Sequence, residues 1–211
     1  NDERLALSAD GAPPLDDVPT PPGGTRDERF AVSAALNRKV ALWKGPIAQL
    51  GADAIVNPTN ETLTLRAGVA GSILDAAGPE LLAEAATLEG CRTGQAKLTK
   101  GYRLYASHVI HTVGPRYNAK YQTAAENALH NAYRSCLQAL VEAKLRTIAF
   151  AVINTQRKGY PPETGAHIAL RTVRRFLEHW PHAVDTVVFC IEEGAVDYGL
   201  YRRLMPLYFP R

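Results

Sequence analysis

The chain of 211 residues is long enough for one domain of ordinary size and a tail. Its composition, 46% hydrophobic and 21% charged, is that of an ordinary globular protein, and no run of about 18 apolar residues offers a membrane-spanning helix. The formal net charge of +3 is unevenly divided: residues 1–29 hold seven acids against three arginines, which leaves a basic body suited either to polyanionic or phosphorylated partners or simply to solubility.

Residues 1–29 carry Pro13-Pro14, Pro19, Pro21-Pro22 and Gly23-Gly24 with few β-branched or aromatic side chains. Such a stretch buries too little surface to offset its ordering entropy, so a flexible acidic leader is expected, with an arm packed on the domain as the alternative. It has no apolar signal-peptide core. The first residue is Asn1, and the chain is expected to be part of a longer protein.

A folded domain is expected over 38–211. Val40–Trp43 reads as a strand stopped by Lys44-Gly45-Pro46. Ala54-Ile55-Val56 is a short β-branched run, the mark of a strand buried on both faces. It empties into the polar cluster Asn57-Pro58-Thr59-Asn60-Glu61-Thr62. A helix follows from Gly68 to about Ala77, with Gly78 as its αL cap and Pro79 opening the next helix. Leu81, Ala85 and Leu88 share one face of that second helix, which Gly90 ends.

Gln95–Leu98 and His108–Val113 read as strands. Thr123 and Glu126 form a capping box at the head of the longest helix, whose stripe is Leu129, Tyr133, Cys136 and Leu140. Thr147–Ile153 is a continuous apolar strand. A helix from about Glu163 turns Ala169, Val173, Phe176, Leu177 and Trp180 inward and Arg171, Arg174, Arg175 and Glu178 outward. Thr186–Ile191 is a last strand and Ala195–Leu204 a last helix. Buried strands alternating with amphipathic helices predict a three-layer α/β/α domain on a mixed, mostly parallel sheet.

Ligands in such folds bind outside the carboxyl ends of the strands. Two strands end there in Asn, at Asn57 and Asn154. The first is followed by Gly68-Val69-Ala70-Gly71, a glycine loop opening a helix, where free N–H groups suit a phosphate. The second leads into Asn154-Thr155-Gln156-Arg157-Lys158-Gly159-Tyr160, either a pyrophosphate cradle with cationic help or a solvated turn. Gly68–Gly71 also fits the GXXG pattern of an RNA-binding loop, a short match in the wrong order of elements. Cys91, Cys136 and Cys190 are too scattered for a disulfide framework or zinc, and reduced buried thiols inside a cell are expected. His108 and His111 point to opposite faces of their strand and make no metal pair.

Taken together, Trp43-Lys44-Gly45, Asp53–Asn60, Gly68–Ile73, Gly94–Thr99, Val109–Pro115 and Gly159-Tyr160-Pro161 resemble the macrodomain family, whose ligand is ADP-ribose. The resemblance runs from residue 38 to about 205. It implies a binding cleft formed by Ile47, Asn57, Asn60, Gly68, Val69, Ala70, Gly71, Ile73, Asn154, Thr155, Gln156, Arg157, Lys158, Gly159 and Tyr160. Three departures from the family pattern stand out. Pro46 occupies the place of the adenine-binding aspartate, Gln156 and Lys158 replace a glycine and an aromatic residue, and Ala70 stands where hydrolytic members carry Asp.

A non-hydrolytic binding module with a divergent pocket is therefore expected, with no catalytic residue, metal or cofactor. Its partner is ADP-ribose, a related nucleotide or an ADP-ribosylated protein. The alternatives are poly(A), RNA or polyanion binding through the same basic cleft, a degenerate scaffold, and residual hydrolysis centred on Asn60. The fragment is expected to be monomeric, cytoplasmic and without membrane contact.

Overall fold

The structure, a computed structural model, describes residues 5–6, 30–153, 158–192 and 197–211. Most of the predicted leader lies outside the described residues. Its one described piece, β1 (Leu5–Ala6), runs parallel to Leu50–Gly51. Phe30 and Leu36 are core residues, so the packed domain reaches ahead of the expected boundary at 38.

In chain order the domain runs α1 (Ala34–Asn37), β2 (Val40–Lys44), a 3₁₀ turn at Ile47–Gln49, β3 (Leu50–Gly51), β4 (Ala54–Pro58), α2 (Val69–Ala77) and α3 (Pro79–Ala86). It continues with β5 (Ala96–Lys100), β6 (His108–Thr112), α4 (Gln122–Glu142), β7 (Thr147–Ala151), α5 (Pro162–His179), β8 (Thr186–Ile191) and α6 (Asp197–Tyr208). Six strands form one sheet in the order β2-β8-β7-β4-β6-β5. All neighbours are parallel except β5, which pairs antiparallel with β6 at the edge.

Alternation along the strands builds two cores. Ala54 and Val56 of β4 face one cluster with Leu129, Tyr133 and Leu137 of α4 and Ala169, Leu170 and Val173 of α5. Ile55 faces the other, with Ile73 and Leu74 of α2 and Leu81 of α3. The predicted three layers are present. Every residue of β4 is buried, as a strand covered on both sides requires.

Local expectations fail at five points. Gly78 has positive φ but an extended ψ of 174°, so it bridges α2 to α3 in a glycine-only conformation rather than as an αL cap. The face of α3 keeps Leu81 and Ala85 but not Leu88, because the helix stops at Ala86. There is no capping box: a 3₁₀ turn at Ala119–Tyr121 feeds α4 one residue early, and Glu126 accepts from the Gln122 side chain instead. Trp180 is 52% exposed, since it caps α5 instead of continuing its stripe. Arg174 is only 1% exposed. Its guanidinium donates to Glu178 at 2.8 Å, to the carbonyl of Tyr208 at 3.0 Å and to that of Ala31 at 2.7 Å, between the rings of Phe30 and Phe209.

Candidate functional site

The carboxyl ends of the parallel strands open on one edge, and the loops leaving them build a cleft of about 560 Å³. Asn60, Glu61 and Thr62 come from the loop after β4. Val113, Gly114 and Arg116 come from the loop after β6, Thr93 from the turn before β5, and Lys158 from the segment after β7.

The first loop is held by Asn60. Its Oδ1 accepts from the N–H groups of Thr64 at 2.8 Å and Leu65 at 3.1 Å, and its Nδ2 donates to the Thr64 hydroxyl at 3.3 Å. This is an Asx-type turn in which the side chain substitutes for backbone pairing. Glu61 is steadied by the Thr93 hydroxyl at 3.0 Å.

The turn delivers the chain to α2. Gly68 sits at its head with φ 58° and ψ −140°, a combination that side chains disfavour. The first rung of the helix is Ser72 N–H to the Gly68 carbonyl at 3.1 Å, so the N–H groups of Val69, Ala70 and Gly71 lie outside the ladder. N–H groups outside the ladder at the positive end of a helix are donors that an anion can use. Gly71 presses its α-carbon against Arg66: a Cβ there would lie 2.6 Å from the Arg66 carbonyl oxygen.

The second wall is cationic. Lys158 Nζ donates to the carbonyl of Gly114, and the Tyr117 N–H donates to the Lys158 carbonyl at 2.9 Å, so the segment after β7 is stitched to the loop after β6. The rings of Tyr117 and Tyr160 meet edge to face at 5.2 Å. Burial, with Arg116 nearby, lowers the Lys158 pKa from its ordinary value. Two cations held this close favour a ligand that brings negative charge.

Of the predicted site residues, Asn60 and Lys158 line this cleft. Gly68, Val69, Ala70 and Gly71 form the helix head beside the first loop, and Gly159 and Tyr160 follow Lys158. The Tyr160 side chain is 2% exposed and its hydroxyl has no partner among the described residues. Ile47 and Ile73 belong to the core under the loops. Asn57 is also buried, bonded to His111 inside the sheet, so the side chains of these three support the site rather than line it. Asn154, Thr155, Gln156 and Arg157 lie outside the described residues. Sequence reading missed Glu61, Thr62, Thr93, Val113, Gly114 and Arg116 as lining. The strand-end rule that singled out the Asn-led loops applies equally to Gly114-Pro115 after β6. The three cysteines are free and buried as expected, and no metal-holding cluster of His, Cys, Asp or Glu occurs among the described residues. No described helix is long and apolar enough to cross a membrane.

A family model, the Macro domain, matches residues 56–169. The chain belongs to the macro domain family. This macro domain is 56% identical over 183 residues to a Nematostella vectensis protein called Protein GDAP2 homolog, with 86% of this chain and 36% of that protein covered. It is 49% identical over 182 residues to the human ganglioside-induced differentiation-associated protein 2, again over 86% of this chain and 36% of the relative. The macro domain described here thus spans about a third of the length of these relatives. The crystal structure of the macro domain of ganglioside-induced differentiation-associated protein 2 superposes with a TM-score of 0.88 at 44% identity, covering 98% of this chain and 96% of that one. A Trypanosoma brucei macrodomain in complex with ADP-ribose superposes with a TM-score of 0.79 at 35% identity, over 94% of this chain and 75% of that one.

Proposed function

We propose that this macro domain is a non-hydrolytic reader of ADP-ribose, free or attached to protein. Two observations carry the reading: N–H groups left outside the ladder at the head of α2, to which the Asn60 turn leads, and a strand-end cleft lined by Arg116 and Lys158. A pyrophosphate supplies what such a site lacks, negative charge and acceptors for backbone N–H groups. The Trypanosoma brucei relative in complex with ADP-ribose supports the ligand class.

Chemistry beyond binding finds little support. The Asn60 amide is committed to its own turn through both of its polar atoms. Position 70 is alanine and wholly buried, so no carboxylate there can activate water. Glu61 is the carboxylate that the cleft does hold, tied to Thr93. On the adenine side, Gly45-Pro46 offers no carboxylate to receive an exocyclic amine. Loss of one charge-assisted hydrogen bond weakens binding by about 1.5–3 kcal/mol, which Lys158 and Arg116 offset in part at the phosphates.

The test is calorimetric titration with ADP-ribose near physiological salt, paired with incubation against a mono-ADP-ribosylated protein. A dissociation constant in the micromolar range, about −8 kcal/mol, with no released ADP-ribose is the expected result. Release that disappears in Glu61→Gln or Asn60→Ala would make the domain a hydrolase. Silence up to millimolar ADP-ribose, together with salt-sensitive binding of oligo(A) that tightens with length, would replace the reader by a polyanion binder.

A further inference from the structure

We propose that the groove between α4 and α5 is a second binding site, which takes an acidic peptide segment in extended conformation. The groove measures about 530 Å³ and lies over the later turns of α5, at residues 172–180, whereas the cleft adjoins the start of that helix. It is a separate surface with its own charge and its own apolar floor, and it does not depend on what the cleft binds.

Its cations are unequally matched. Glu178 is the one carboxylate in the lining, and it is already shared between Arg174 at 2.8 Å and Arg175 at 3.2 Å. Arg134 on α4 lines the groove and Arg171 on α5 stands close to it, next to His130; among the described residues neither has an ion pair. Arg175 is held in place against the Phe30 ring, 4.7 Å away. At Arg134 and Arg171 an arriving carboxylate therefore meets positive charge with no resident acid to displace, while Arg175 shares Glu178 with Arg174.

The spacing favours a strand. Arg171, Arg175 and His179 recur at every fourth residue of α5, a rise of about 6 Å per step. Side chains on one face of an extended peptide recur every two residues, about 6.7 Å apart. Alternate glutamates can thus follow the row. At its end Trp180 stands exposed, braced edge to face by His179 at 4.8 Å and beside the half-buried Phe176, which gives an apolar seat for a terminal aromatic side chain. On the opposite wall His130 Nδ1 donates to Thr172 Oγ1 at 2.9 Å, while that hydroxyl donates to the Ile168 carbonyl at 2.7 Å. The imidazole is fixed with Nδ1–H donating, which leaves Nε2 as an acceptor for a backbone N–H of the peptide.

The probe is the hexapeptide Glu-Ala-Glu-Ala-Glu-Phe carrying fluorescein, titrated into the whole chain near 150 mM salt with anisotropy as readout. Saturable binding is expected, weakened at least tenfold both by the double change Arg134→Ala, Arg171→Ala and by Trp180→Ala, with ADP-ribose affinity unmoved. The isomer Glu-Glu-Glu-Ala-Ala-Phe should bind severalfold more weakly, because its acids leave the row. The proposal is overturned by failure to saturate, by binding indifferent to these substitutions, or by equal affinity for the isomer. It is also overturned if single-stranded RNA of six nucleotides binds more tightly through the same arginines, or if inorganic phosphate displaces the peptide at low millimolar concentration.

Discussion

The side-chain amide of Asn57 donates to Nδ1 of His111 across 3.1 Å, beneath the cleft and within the sheet. Nδ1 is then an acceptor, and Nε2–H faces the Thr99 hydroxyl at 2.9 Å. The network uses the imidazole in its neutral form. Burial, opposed weakly by Glu84, lowers the His111 pKa from 6.5 to about 4. Unfolded, the ring titrates near its ordinary value. The stabilisation is therefore complete above pH 6.5 and is lost as pH falls toward 4, because the unfolded chain takes up the proton first. At pH 5 the loss is about 2 kcal/mol, and His111→Gln should remove this part of the slope. Urea midpoints at pH 7.5 and 5 for both proteins check it.

The two glycines at the head of α2 should answer differently to alanine. At Gly71 a Cβ meets the Arg66 carbonyl oxygen at 2.6 Å, a backbone atom that cannot swing aside. Gly71→Ala should cost about 1–3 kcal/mol of stability and abolish ADP-ribose binding. At Gly68 a Cβ meets nothing within 4 Å, yet the conformation itself is strained for any side chain. Gly68→Ala should cost a similar stability through strain alone, about 1–3 kcal/mol, while leaving the position of Arg66 unchanged. Differential scanning calorimetry and titration of both variants separate steric from conformational cost.

Arg116→Met and Lys158→Met should each raise the ADP-ribose dissociation constant, and together by at least tenfold. Lys158→Met should have the larger effect, because its ammonium also joins the Gly114 loop to its own segment. Binding measured at rising salt should fall less steeply in the double variant, since fewer screened charges remain.

Arg174→Ala should destabilise by about 3–5 kcal/mol, the range for removing one side of a buried charged network. Arg174→Lys should not restore stability, because an ammonium's donors radiate from one atom, whereas Nε, Nη1 and Nη2 reach Glu178, Tyr208 and Ala31 from three separate positions. Thermal melts of the three proteins decide this.

Much of the architecture was legible because β-branched runs such as Ala54-Ile55-Val56 and Thr147-Ile148-Ala149 leave few alternatives to a buried strand. The glycine-led start of α2 was legible for the same reason, since few residues tolerate that backbone. What escaped depended on contacts far along the chain. Periodicity puts Arg174 on the solvent face of α5, but Phe30 and Phe209 arrive from the two ends of the domain and cover it. Arg116 and Thr93 enter the cleft from the segments after Gly114-Pro115 and between Gly90 and Gly94, whose glycines open no helix. Ile47, Asn57 and Ile73 lie near the site in sequence, yet their side chains pack beneath it, a distinction that needs three dimensions.

The grip of Arg174 on the carbonyls of Ala31 and Tyr208 has a mechanical side. Asn37 adds a second tie, donating to the Pro210 carbonyl at 2.9 Å. The two ends of the folded unit therefore emerge side by side and are fastened to each other. Tension applied through flanking polypeptide would load these clasps before it reached the six-stranded sheet. The domain can ride within a longer chain as a pendant whose cleft keeps its shape while its neighbours move.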